Sequence, residues 1–257
     1  MTKRILASFL LVLLVGLATA QTLFDTPCSH LTTDNLGNIY TWHDATLLKY
    51  SPTGELLFDF RKPNYGNLTS VDADNSIKIM LFYQESGKIV FLDDKLAPIG
   101  NELDLFEHNL TSISNAAIFG NNKITLFDET NQDLYITDLN LKTINKTHCN
   151  NDLNIHAVSL QCIPDHSIML VDSTQGLFFF DRFGTYEHLM PIKGVLSAQQ
   201  DVDHLYYLQN NTLHIYIRAN HEMHTLPYLP ADSREFRWAK KWLYLLDGKG
   251  KTHRYSE

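Results

Sequence analysis

Apolar residues come in short runs along this chain, rich in Ile, Leu, Val, Phe and Tyr, with Gly, Asn, Asp and Thr between them. No run keeps a 3.6-residue helical repeat for a dozen positions, so the pattern predicts strands throughout and an all-β chain. One arrangement recurs. An apolar strand ends in an acidic or polar residue, a turn follows, and a second strand begins. It appears as Ile39–Asp44, Ile79–Tyr83, Ile124–Asp128, Ile168–Asp172, Leu205–Gln209 and Leu243–Asp247. The last residues of these segments lie 39, 45, 44, 37 and 38 positions apart.

Six units of about forty residues match the size of a four-stranded propeller blade. The first unit shows how a blade would be built. Leu31–Asp34 is an inner strand, Leu36-Gly37-Asn38 a turn, Ile39–Trp42 a second strand and Thr46–Tyr50 a third. Pro52-Thr53-Gly54 is a tight turn, with Pro at its first corner and Gly where a permissive φ is needed, and Glu55–Phe60 is the outer strand. On Gly37-Asn38-Ile39-Tyr40 and Pro52-Thr53-Gly54, this unit resembles the repeats of NHL-type propellers. Leu205-Tyr206-Tyr207 and Leu243-Tyr244-Leu245 resemble second strands of YWTD-type propellers. The final unit offers only three strands, Phe236–Trp238, Trp242–Leu246 and Lys251–Tyr255. Thr22–Phe24 is then expected to supply the fourth, closing the ring and removing an exposed sheet edge. The expectation is a six-bladed β-propeller over residues 21–257, its last blade completed by the N-terminal strand. A β-sandwich pair fits the even spacing less well, and a seventh blade has no room.

The first twenty residues change the picture of where the chain works. Lys3 and Arg4 precede an uncharged apolar stretch, Ile5–Leu17, and the small-x-small site Ala18-Thr19-Ala20. This is the pattern of a secretory signal peptide over residues 1–20, and the apolar run is short for a membrane span. Cleavage would move the formal net charge from −8 to −10, because Lys3 and Arg4 leave with the signal. So acidic a chain argues against nucleic acid and against anionic lipid as partners. The signal and the Asn-, Asp- and Tyr-rich remainder resemble exported proteins of Bacteroidota. That resemblance implies the periplasm or cell surface. It also suggests a subunit of an outer-membrane secretion machine, such as the plug of the type 9 translocon.

Catalytic and metal-binding signatures are sparse, and no cofactor, metal or catalytic residue is assigned. His221-Glu222-Met223-His224 lacks the i, i+4 spacing of a zincin helix and reads as a strand. Asp72-Ala73-Asp74-Asn75-Ser76 begins like a calcium loop, but Ile77 stands where the sharp turn needs Gly. Cys28, Cys149 and Cys162 are expected as free, buried thiols: Cys149 closes an outer strand and Cys162 belongs to the next inner one, beyond disulfide reach. No nucleophile elbow, P-loop or dinucleotide-binding glycine motif is present. Asn67, Asn109, Asn145 and Asn210 head glycosylation sequons, which matter only in a eukaryotic secretory pathway.

One feature invites a partner. The loops between second and third strands should open on one face, and they carry His43, Asp44, Glu85, Glu129, Asp172 and Asp247. A ring of carboxylates there could receive a basic protein partner, although Asp is also a common turn residue. The reading is therefore an exported, non-enzymatic interaction module. The competing class is a propeller enzyme, a glycan hydrolase or lyase or a lactonase-like metal enzyme, with its site in the central channel. Inner strands offer Thr32, Thr33, Ser70, Asp72, Ser112, Ser114, Ser159, Gln161, Ser197 and Gln199, a set poor in carboxylate and His.

Overall fold

The computed structural model describes residues 21–24, 26–149, 153–163, 166–226, 229–230 and 232–256. The expected export segment, 1–20, lies outside them. The described strands form six four-stranded antiparallel sheets, arranged as the blades of a propeller.

Blade 1 runs outward from the centre as His30–Thr33, Ile39–His43, Thr46–Tyr50 and Leu56–Arg61. Blade 2 is Ser70–Asp72, Ile79–Tyr83, Lys88–Leu92 and Leu103–Asp104. Blade 3 is Ile113–Phe119, Lys123–Asp128, Asp133–Asp138 and Thr143–His148. Blade 4 is Ser159–Ile163, Ser167–Asp172, Gly176–Asp181 and Tyr186–Met190. Blade 5 is Val195–Gln200, His204–Gln209, Thr212–Ile217 and Glu222–Leu226. Blade 6 takes Ser233–Ala239, Trp242–Asp247 and Thr252–Ser256 from the end of the chain and Gln21–Phe24 from its beginning. The expected closure is present: Gln21 pairs with Arg254, Thr22 with His253 and Phe24 with Thr252.

The second strands explain the apolar runs. Every residue of Ile79–Tyr83 is buried, because both faces of that strand pack against a neighbouring blade. Strand alternation sends Ile79, Leu81 and Tyr83 into a cluster with Tyr40, Trp42 and Leu47 of blade 1. It sends Met80 and Phe82 into one with Ile113, Ile124 and Leu126 of blade 3. The core is thus a set of inter-blade layers. At about 25 cal/mol per Å² of apolar area removed from water, these layers are the main favourable term in the fold. Outer strands are largely exposed, as in Leu56–Arg61 and Glu222–Leu226.

Turn chemistry keeps the second and third strands in register. Asn210 and Asn211 both take positive φ, 50° and 57°, as a two-residue hairpin turn requires. At Gly176 a Cβ would lie 2.1 Å from the Met190 carbonyl oxygen, so only glycine fits there.

Candidate partner-binding face

The second-to-third-strand hairpins and the links between blades share one face of the ring. His43 and Asp44 sit there at the tip of the blade 1 hairpin, both exposed. His43 Nδ1 lies 2.6 Å from Ser29 Oγ. Its Nε2 is 3.7 Å from Asp44 Oδ2, outside hydrogen-bond range, so the three form a surface contact and not a nucleophile triad. Glu85 stands on the blade 2 hairpin, its side chain lying over Gly66. Glu129 stands on the blade 3 hairpin, 2.9 Å from His156 Nδ1.

Asp172 and Asp247 occupy equivalent positions but turn inward. Asp172 is fully buried. It accepts backbone N–H groups from His156, Thr174 and Gln175 at 2.9, 2.7 and 3.1 Å. Asp247 accepts the N–H groups of Lys249 and Lys251 and lies 2.9 Å from His253 Nε2. Both carboxylates serve their own turns. The acids left facing outward among the six named residues are Asp44, Glu85 and Glu129.

Two cavities open on this face. The larger, about 720 Å³, lies between blades 2 and 3 and is lined by Glu85, Glu129, Phe106 and His156, with Ser112 and Ser114 behind. Phe106 is an exposed aromatic, 43% accessible. Glu85 makes no hydrogen bond among the described residues. Protonated His156 is favoured first by its hydrogen bond to Glu129, which raises its pKa. The second cavity, about 520 Å³, surrounds the blade 1 hairpin and reaches the segment that joins the closing strand to blade 1. The hairpin acids are marked by their place in the repeat, whereas Phe106 and Arg61 come from other stretches of chain and carry no such mark.

The central channel is more charged than the sequence suggested. Glu235 and Arg237 alternate on the inner strand of blade 6 and were missed, although their i, i+2 spacing puts both on one side of it. Several polar channel groups tie one blade to the next. Glu235 Oε2 accepts the Leu31 N–H at 3.1 Å. Asp72 Oδ2 accepts the Ile118 N–H at 2.7 Å, and Gln161 Oε1 accepts the Gln200 N–H at 2.8 Å. Gln199 bonds both the N–H and the carbonyl of Trp238. Arg237 reaches Thr32, Ser197 and Glu235. These side chains do the work of a circumferential belt. The segment Asp72–Ser76 forms the end of an inner strand and a turn.

Asp74 lies just past the inner strand of blade 2, where its side chain is exposed to water. Reduced solvation beside the channel wall, then the neighbouring Asp72 carboxylate, raises its pKa to about 7 against the pull of Arg237. A carboxyl whose pKa is raised on folding favours the fold fully below its ordinary value, and loses that contribution as pH rises through the folded one. Asp74→Asn is therefore expected to raise the melting temperature more at pH 8 than at pH 4, by an amount reduced through screening by channel water. Equal shifts at both pH values would show that Asp74 ionises normally.

Cys28, Cys149 and Cys162 are free and buried. Burial raises the Cys28 thiol to about 11 and the Cys149 thiol to about 12, which keeps both protonated and unreactive at neutral pH. His221 lies in a left-handed turn against the Tyr216 hydroxyl, while His224 is on the exposed outer strand near Glu222. Among the described residues, no three His, Cys, Asp or Glu side chains gather as a metal site. No described helix is long and apolar enough to cross a membrane.

No protein-family model matches the chain, and no curated protein sequence matches it closely enough to indicate a relative. Similarity is found among solved structures. The WD40 domain of Pan2 from Neurospora crassa superposes with a TM-score of 0.65 at 10% identity, covering 90% of this chain and 89% of that one. BBS1N, solved in complex with ARL6, gives 0.59 at 13% identity over 91% and 79%. A streptogramin B lyase gives 0.59 at 11% identity over 92% and 86%. At such identities the likeness establishes the fold alone. The chain is a six-bladed β-propeller, a class that hosts both interaction modules and enzymes.

Proposed function

We propose that the protein is an exported, non-enzymatic propeller that docks a basic segment of another protein on its hairpin face. The observation that carries this reading is the cavity between blades 2 and 3, where Glu85 and Glu129 face a shared space beside exposed Phe106. Two carboxylates can pair with Lys or Arg, while the aromatic ring takes the apolar stem or stacks on a guanidinium. The channel is compatible with the same reading, because several of its polar groups, Asp72, Gln161, Gln199, Glu235 and Arg237 among them, hold one blade to the next. The signal sequence and the composition of residues 21–257 favour the periplasm or cell surface. An outer-membrane protein secretion complex is the partner assembly they point to.

The test is capture of partners from native membranes by the full chain and by a Glu85→Gln/Glu129→Gln variant. Close, partly desolvated charge pairs are worth about 1.5 kcal/mol or more each. The double variant is expected to bind the captured protein at least about tenfold more weakly, with a flatter dependence on salt. Binding should also weaken as pH falls, because protonated His156 then competes for Glu129. Equal capture by both proteins would reject this cavity as the docking site.

A further inference from the structure

The outer strand of blade 1, Leu56–Arg61, is an open sheet edge unlike the other five. Leu56, Leu57 and Phe58 follow one another, and all three are exposed. An exposed apolar edge is a template for another strand, and most edges are guarded against this. The remaining outer strands are guarded. Leu103–Asp104 has two residues. Thr143–His148, Tyr186–Met190 and Glu222–Leu226 set Lys146, Glu187 and Glu222 among His and other polar side chains. Gln21–Phe24 packs Leu23 and Phe24 into the core cluster beside it.

Backbone phase decides which groups of this edge are free. Phe58, Asp59, Phe60 and Arg61 pair one to one with Lys49, Leu48, Leu47 and Thr46, and a bulge sets Leu57 outside that ladder. Beyond the strand, the Lys62 N–H bonds the Ala45 carbonyl at 3.4 Å. Antiparallel backbone groups alternate in direction, so those of Phe60 point inward to the third strand. Those of Asp59 and Arg61 point away from the blade. The Asp59 and Arg61 side chains stand two apart on one face of the sheet. Both residues are exposed, and neither has a hydrogen-bond or ion-pair partner among the described residues.

We infer that this edge pairs two copies of the chain, antiparallel, about a two-fold axis at Phe60. That register sets Asp59 of each copy opposite Arg61 of the other. The outward backbone groups of the same residues then meet as hydrogen-bonded pairs. The two Phe60 residues form the non-hydrogen-bonded pair at the centre, where side chains come closest. Leu56 and Leu57 run on to face the second copy's Pro63–Tyr65 turn. Opposite charges directly across an antiparallel pair attract and like charges repel, so the strand is complementary to itself. No other outer strand places a Lys or Arg two residues from an Asp or Glu. The contact is isologous, the same patch on both copies. It is also small, at the low end of specific interfaces, so the dimer is weak and concentration-dependent.

Sedimentation velocity of the full chain, from about 1 μM to about 500 μM, tests the pairing. The expected result is monomer at the low end and dimer at the high end. Asp59→Arg and Arg61→Asp, made singly, turn both cross-copy contacts into like-charge pairs and should weaken the dimer at least about tenfold. The combined Asp59→Arg/Arg61→Asp variant restores opposite signs and should associate like the wild type. All these positions are exposed, so melting temperatures should match. Rising salt screens the same pairs and should weaken the wild-type dimer without any substitution. A Glu85→Gln/Glu129→Gln variant should associate unchanged, which separates this edge from the basic docking cavity. A chain that is monomeric at every concentration would overturn the inference, even if the edge took a strand from a different protein. So would a dimer that the single reversals leave intact, or one that the combined variant fails to restore.

Discussion

A chain lacking residues 21–27 is expected to melt about 10 °C below the full-length protein. Deletion removes the strand that completes blade 6 and leaves Thr252–Ser256 as an open edge. Leu23 and Phe24 pack into the cluster that also holds Leu31, Ile39, Tyr50 and Tyr244, so the loss reaches the seam between blades 6 and 1. Phe24 stacks on Tyr50 with ring centroids 4.0 Å apart. Full burial of each side chain would be worth about 1.5–3 kcal/mol. Both are only partly buried here, and the aromatic pair adds about 1 kcal/mol, giving roughly 3–4 kcal/mol in all. In a domain of this size, each kcal/mol moves the melting point by about 2–4 °C. Phe24→Ala should give a third to a half of the effect with the backbone pairing kept. Thermal melts followed by circular dichroism decide it: a deletion variant that melts with the full chain would mean that the closing strand adds nothing.

Closure was legible because it follows from counting: three strands in the last unit leave one missing. The second strands were legible for a different reason. Ile79–Tyr83 and Ser167–Asp172 are apolar on both faces because each lies between two blades, so burial writes itself into a continuous run. Outer strands carry no such imprint. Leu103–Asp104 and Glu222–Leu226 are paired at the rim with side chains half-buried or exposed, so no continuous apolar run marks them. The hairpin face was half legible. Hairpin position located His43, Asp44, Glu85 and Glu129 on one side of the ring. Phe106 and Arg61 reach the same cavities from a short 3-10 helix and from a strand end. Assembly from separate blades leaves no spacing to read. Glu235 and Arg237 in the channel were hidden for a related reason, since their role is to bond residues some forty or two hundred positions away.

Asp172→Ala is expected to lower the melting temperature by about 10 °C, while Glu85→Gln changes it little. The two residues look alike in sequence, each an acid at the end of a second strand or in the turn after it. The structure separates them by where the carboxylate points. Asp172 is fully buried, and its oxygens take three backbone N–H groups and the Thr174 hydroxyl. Alanine would leave those donors facing a void, at about 1 kcal/mol or more for each unmade bond. Burial alone would raise the Asp172 carboxyl; the Thr174 hydroxyl and the backbone N–H groups outweigh it and hold the pKa below the usual carboxylate range. A depressed folded pKa contributes stability that is present above the ordinary carboxylate value and is lost as pH falls through the folded one. Asp172→Asn should therefore cost less at pH 3 than at pH 7, because below the ordinary carboxylate value the unfolded wild type takes up a proton that the folded site resists. Glu85 faces water, and a surface substitution of this kind stays within about 0.5 kcal/mol. Melts of the three variants at pH 3 and pH 7 test the assignment. If Glu85→Gln proved as damaging as Asp172→Ala, Glu85 would belong to the scaffold, and the acidic cavity would lose its free carboxylate.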